Sequence, residues 1–90
     1  IVCLMPTNVY GDNDNFNKVN GHVIPAIISK IEEAKKSNKK KFQLLGTGKP
    51  LREFIHAEDL ADAIIKCLKL RPSILKKIFK LQLPIINVGT

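Results

Sequence analysis

The chain opens on five consecutive apolar residues, Ile1-Val2-Cys3-Leu4-Met5, halted at Pro6. A run without polar alternation reads as a strand buried on both faces, as in a parallel sheet covered by helices. Residues 7–21 then turn polar and rich in Asn and Asp. A loop of about 15 residues is uncommon in a compact domain and is often functional. From residue 22 to about 37, Ile24, Ile27, Ile28 and Ile31 recur at helical spacing, with Lys30, Glu32, Glu33 and Lys36 mostly elsewhere on the helix. Pro25 suits its first turn, where a missing N–H costs nothing.

Residues 37–40 form a basic loop, 41–45 a short strand candidate, 46–50 a glycine-containing turn and 51–56 an extended segment. A second helix starts at Ala57, with Glu58 and Asp59 in the turn where the helix dipole favours acids. Its expected buried stripe is Leu60, Ala61, Ile64, Ile65 and Leu68, and Arg71-Pro72 ends it. Ile74, Leu75, Ile78 and Phe79 predict a short amphipathic helix among lysines, open to ordinary packing or to docking on a partner or membrane surface. Pro84 precedes a last strand over 85–88. Strands alternating with amphipathic helices make an α/β chain.

Ninety residues allow one small domain, and a 44% hydrophobic share is too high for a disordered chain. No apolar stretch reaches the roughly 20 residues of a membrane-spanning helix. The N-terminal run has neither a basic segment before it nor a small-residue cleavage site after it, which argues against a signal peptide. Both ends read as cut, at a strand lacking its beginning and at Asn87-Val88-Gly89-Thr90. The net charge is +7, from 15 Lys and Arg against 8 Asp and Glu. The lysines cluster at 35–41 and 66–80 with Phe79 as the single aromatic among them, so solvated faces are expected in preference to a nucleic-acid surface. Cys3 and Cys67 share no metal spacing with His22 or His56. Buried thiols in a reducing cytoplasm are the expectation, with no metal site.

Open α/β sheets place ligands at the carboxyl ends of strands. Thr7 and Asn8 offer a hydroxyl and an amide there, for a ligand or for local backbone groups. His22 opens a helix after the long loop and suits either proton transfer or capping. Lys30 lies eight residues on, about 80° around the helix at 3.6 residues per turn, so both can border one cleft. Arg52 sits in Pro50-Leu51-Arg52-Glu53-Phe54. Its planar fork suits a phosphate or carboxylate, and Glu53, on the opposite strand face, is a poor partner. Gly46-Thr47-Gly48-Lys49 fits neither a P-loop nor a dinucleotide fingerprint. His56, Glu58 and Asp59 read as a helix start rather than metal ligands.

Taken in order, Pro6-Thr7-Asn8-Val9-Tyr10-Gly11, Asp14-Asn15-Phe16, His22-Val23-Ile24-Pro25-Ala26, Gly46-Thr47-Gly48 and Pro50-Leu51-Arg52-Glu53-Phe54-Ile55-His56 resemble the GDP-L-fucose synthases. Asp59-Leu60-Ala61-Asp62-Ala63 and Ile86-Asn87-Val88-Gly89-Thr90 continue the likeness across nearly the whole chain. That family belongs to the extended short-chain dehydrogenase/reductases. The resemblance implies a Rossmann-like α/β fold, with residues 1–90 as a C-terminal-half fragment joining the end of the sheet to part of the substrate-binding domain. It implies NADPH-dependent epimerisation and reduction of GDP-4-keto-6-deoxy-D-mannose by a cytoplasmic homodimer, with no nucleic-acid or membrane partner.

By the same resemblance Pro6, Thr7, Asn8 and Val9 line the nicotinamide end of NADP, and His22 transfers protons close to the cofactor. Lys30 and Arg52 hold the sugar nucleotide. Leu45 stands at a substrate-contacting position where the family commonly carries Trp. The glycine-rich cofactor loop, the catalytic Ser, the Tyr-x-x-x-Lys pair and the cysteine partner of the histidine are expected upstream of residue 1, so the 90 residues alone should catalyse nothing. Two alternatives stay open: another nucleotide-sugar epimerase, dehydratase or reductase, and a truncated non-catalytic interaction module using the 66–80 face.

Overall fold

A computed structural model describes residues 1–80 and 83–89. Thr90, which closes the last motif above, lies outside the described residues. The backbone divides into two units, Ile1–Val9 with Glu53–Thr90, and Tyr10–Arg52.

The first unit contains a parallel strand pair, β1 (Cys3–Pro6) and β4 (Ile85–Val88), in the register Cys3↔Ile85 to Pro6↔Val88. Backbone bonds continue the ladder on both sides, Cys3 N–H to the Pro84 carbonyl at 2.8 Å and Thr7 N–H to that of Val88 at 3.0 Å. Pro6, expected to stop β1, is its last paired residue. A short strand β2 (Asn8–Tyr10) follows and pairs with β3 (Phe54–His56). The sequence reading placed β2 inside a loop.

Helix α2 (Ala57–Leu68) runs straight out of β3. Its N-cap is His56, whose Nδ1 accepts the Glu58 N–H at 3.3 Å, which accounts for that histidine without a metal. Among the described residues no group of three or more His, Cys, Asp and Glu is placed to hold a metal ion. Helix α3 (Pro72–Phe79) begins with proline in its first turn, where the ring is pre-set for a helix.

Ile55 of β3 is the buried hydrophobic residue of this unit. β1 is covered on one face only: Leu4 is half-buried while Cys3 and Met5 are exposed. That corrects the strand expected to be buried on both faces, and with it the buried state expected of Cys3. Both cysteines are free thiols, Cys67 half-buried. On α2 the covered stripe is Leu60, Ala63 and Cys67, while Ile64, Ile65 and Leu68 are exposed. The expected stripe was therefore offset around the helix.

The second unit holds helix α1 (Val23–Lys36), flanked by the irregular segments 11–22 and 37–52. Pro25 and Ala34 are its buried residues. The strand expected over 41–45 does not form; these residues are exposed and have no neighbouring strand to complete their backbone pairing. Lys30 shares a stripe with Ile27 and Ala34, within about 60° of each at 100° per residue, and is half-buried. Its expected place off the apolar side is corrected accordingly.

Candidate functional site

In the first unit, the carboxyl ends of β1 and β4 gather Thr7, Asn8, Glu53 and Gly89. Asn8 is anchored twice on the Glu53 carbonyl, by its backbone N–H at 3.3 Å and by its side-chain Nδ2 at 3.0 Å. This leaves its amide oxygen as an acceptor. Thr7 Oγ1 is buried with no hydrogen-bond partner. Buried hydroxyls are nearly always bonded, which sets this one apart. Gly89 keeps that end open. A Cβ there would lie 2.9 Å from the Glu53 carboxylate and 3.0 Å from the Thr7 methyl group.

In the second unit, residues 11–21 are ordered by their own side chains. Asp14 Oδ1 accepts the Asn15 N–H at 2.6 Å, and Asn15 Oδ1 accepts the Asn17 N–H at 3.0 Å. Asn17 Oδ1 accepts the N–H groups of Val19 at 2.9 Å and Asn20 at 3.0 Å. Short amide and carboxylate side chains favour such turns, hence the Asn-rich composition. The loop delivers His22 to the N-cap of α1, yet the imidazole makes no capping bond. Its Nδ1 instead lies 3.6 Å from Asp14 Oδ1. Asp14 is only 15% exposed and the imidazole 79%, so a largely covered carboxylate lies near a ring open to solvent without hydrogen-bonding it. The Asp14 partnership went unread in the sequence, although the Asp-Asn-Phe motif carried the residue.

Two turns along α1, Lys30 borders a hollow of about 370 Å³ that Leu45 also lines. Lys30 Nζ donates to the Gln43 carbonyl at 3.3 Å. Lys18 Nζ meets Glu33 Oε2 at 2.6 Å on the rim, and this bond holds the Glu33 carboxyl below the usual glutamate range. Arg52 is not part of this lining. It is exposed, donates to its neighbour's carbonyl, that of Leu51, at 3.1 Å, and has no carboxylate partner among the described residues. Lys30 and Leu45 are thus brought together, His22 stands at the N-cap of the helix that carries Lys30, and Pro6 to Val9 belong to the first unit.

The model of the NAD dependent epimerase/dehydratase family matches residues 1–89. This chain belongs to that family. Among epimerase/dehydratase relatives, GDP-L-fucose synthase of Escherichia coli K12 is 41% identical over 87 residues, 97% of this chain and 27% of that protein. GDP-L-fucose synthase 1 of Arabidopsis thaliana is 52% identical over 61 residues, 68% of this chain and 19% of that protein. The crystal structure of a GDP-L-fucose synthetase from Naegleria fowleri bound to NADP superposes with a TM-score of 0.73 at 28% identity, covering 99% of this chain and 25% of that one. The fold is the α/β architecture of the extended short-chain dehydrogenase/reductases. The epimerase/dehydratase chain described here spans about a fifth to a quarter of the length of these curated relatives.

Proposed function

We propose that the protein carrying this chain is an NADPH-dependent epimerase and reductase that converts GDP-4-keto-6-deoxy-D-mannose into GDP-L-fucose. The observation that carries this reading is the His22 imidazole, free of any capping bond and 3.6 Å from Asp14, at the N-cap of the helix that also bears Lys30. Carbons beside a ketone are acidic. Removal of a C–H proton gives an enolate, and protonation from the opposite face inverts the centre. His22 is assigned as a donor of that proton, with the Asp14 carboxylate near its ring. Lys30 and Arg52 are assigned to the phosphates of the sugar nucleotide, which cations hold in place while the sugar reacts.

Pro6, Thr7, Asn8 and Val9 would hold the nicotinamide end of the cofactor, and His22 is assigned to the cofactor as well. The orphan Thr7 hydroxyl and the cradle at Gly89 fit that group. Bound NADPH supplies the hydride that reduces the ketone. Residues 1–90 are assigned to the end of the Rossmann sheet and part of the substrate-binding domain, the remaining machinery lying elsewhere in a homodimeric protein. Exposed and half-buried free thiols suit a cytoplasmic setting. No helix among the described residues is long and apolar enough to cross a membrane.

Leu45 favours one alternative, a different nucleotide sugar. It is 83% exposed in the hollow and offers no aromatic face.

In the intact protein, His22→Asn should lower epimerisation at least a hundredfold, the usual scale for a general acid, while NADPH affinity measured by fluorescence changes less than threefold. Equal loss in both assays would assign His22 to the cofactor alone.

A further inference from the structure

Helix α1 ends in a closed turn. Asn38 takes the left-handed conformation at φ 52°, its N–H donates to the Lys35 carbonyl at 3.0 Å, and the Lys39 N–H reaches back to that of Ala34 at 2.8 Å. This is the double bond of a Schellman motif, with Asn in place of the usual glycine. It fixes Lys39 against the last helical turn and returns the chain toward Lys30, which bonds the Gln43 carbonyl. The hollow between helix and returning chain is the one bordered by Lys30 and Leu45. Its 370 Å³ falls at the small end of the range for ligand sites.

Lys18, Lys30, Lys39 and Lys41 line it against a single carboxylate, Glu33, which Lys18 already pairs and which Lys39 attracts only from beyond ion-pair distance. Among the described residues no carboxylate reaches ion-pair distance of Lys30, Lys39 or Lys41. A helix C-terminus favours cations in its last turn, and Lys35 and Lys36 fill that role. Lys41 lies beyond the helix and gains nothing there. Three like charges around one hollow repel unless an anion enters, and the only bond Lys30 would give up is to a neutral carbonyl. Phe42, 41% exposed, lines the same hollow.

We propose that Lys39 and Lys41 join Lys30 in binding a nucleoside diphosphate, with Phe42 offering an aromatic face to the attached ring system. The inference rests on the reading of the protein as a nucleotide-sugar enzyme and extends its substrate contacts to residues beyond Lys30, Leu45 and Arg52.

Calorimetric titration of the intact protein with GDP, UDP and inorganic pyrophosphate tests it. Lys39→Gln with Lys41→Gln should weaken all three about tenfold, the scale of two exposed charge pairs, and flatten the salt dependence. Lys76→Gln with Lys77→Gln, removing the same charge from α3, should change nothing. All four lysines are exposed, so the substitutions spare the fold. Unchanged binding in the first double variant, or equal loss in the second, would overturn the proposal. Pyrophosphate binding that depends on Lys39 and Lys41, in a protein without GDP-sugar turnover, would preserve this inference and sink the proposed activity. Turnover whose KM ignores both lysines would do the reverse.

Discussion

Gly21 is the residue on which the His22 geometry most depends. Its N–H donates to the Asn17 carbonyl at 2.8 Å. A Cβ added there would collide with the carbonyl oxygens of both Asn17 and Asn15 and stand 3.2 Å from the Asn17 nitrogen. These are backbone atoms, unable to swing aside as a side-chain tip does, so Gly21→Ala must open the loop. Overpacking costs about 1–3 kcal/mol and the lost Gly21–Asn17 bond about 1 kcal/mol, together about 2–4 kcal/mol of local stability. At 1.36 kcal/mol per factor of ten, amide exchange at Val19 and Asn20 should accelerate roughly 30- to 1,000-fold. Both donate to the Asn17 side chain. Because Asp14 and His22 flank the same loop, turnover should fall at least tenfold. Gly46→Ala is the control. Its φ of 94° strains an alanine, but the space around it is open and no His22 contact depends on it. Hydrogen exchange read by mass spectrometry, beside turnover, decides the matter. Protection at 19 and 20 within threefold of the parent, with turnover intact, would refute the steric argument.

Two further outcomes follow from the geometry. Glu33 is held below the usual glutamate range by its bond to Lys18. The pairing is therefore fully present above the ordinary glutamate pKa and lost as pH falls through the lower folded value. The Glu33 carboxyl carbon shift should titrate at lower pH than in a Lys18→Ala variant, and coincident midpoints would dismiss the bridge. Gly89→Ala presses on a movable carboxylate and on the Thr7 methyl. Stability should change by under about 1 kcal/mol while NADPH affinity drops severalfold, and unaltered affinity would remove Thr7 from the cofactor site.

Local periodicity was enough for the helices. The isoleucine spacing, Pro25, the acids at 58 and 59 and the apolar repeat from Ile74 to Phe79 mark α1, α2 and α3 to within about two residues, although Pro72, read as ending α2, is the first residue of α3. The motif from Pro6 to Gly11 and the His22 to Ala26 segment likewise marked the family from residues alone. The sequence missed what depends on distant partners. β2 exists because β3 lies beside it, with Asn8 bonding Glu53 across 45 positions, and no local pattern announces a three-residue strand. The segment 41–45 carries strand-like residues and stays irregular because no strand pairs with it.

The same division holds at the site. Residue types and order nominated His22, Lys30 and Arg52 through their chemistry. Tertiary folding set Asp14 near His22, turned Lys30 onto the covered side of α1 and brought Lys39 and Lys41 round beside it. Those choices follow from side-chain turns and a helix-ending bond pattern that close only once the chain has folded back. The first strand shows both halves. Its apolar run determined that it would be a strand, and its pairing with β4 determined which face is covered and left the Thr7 hydroxyl buried without a hydrogen-bond partner.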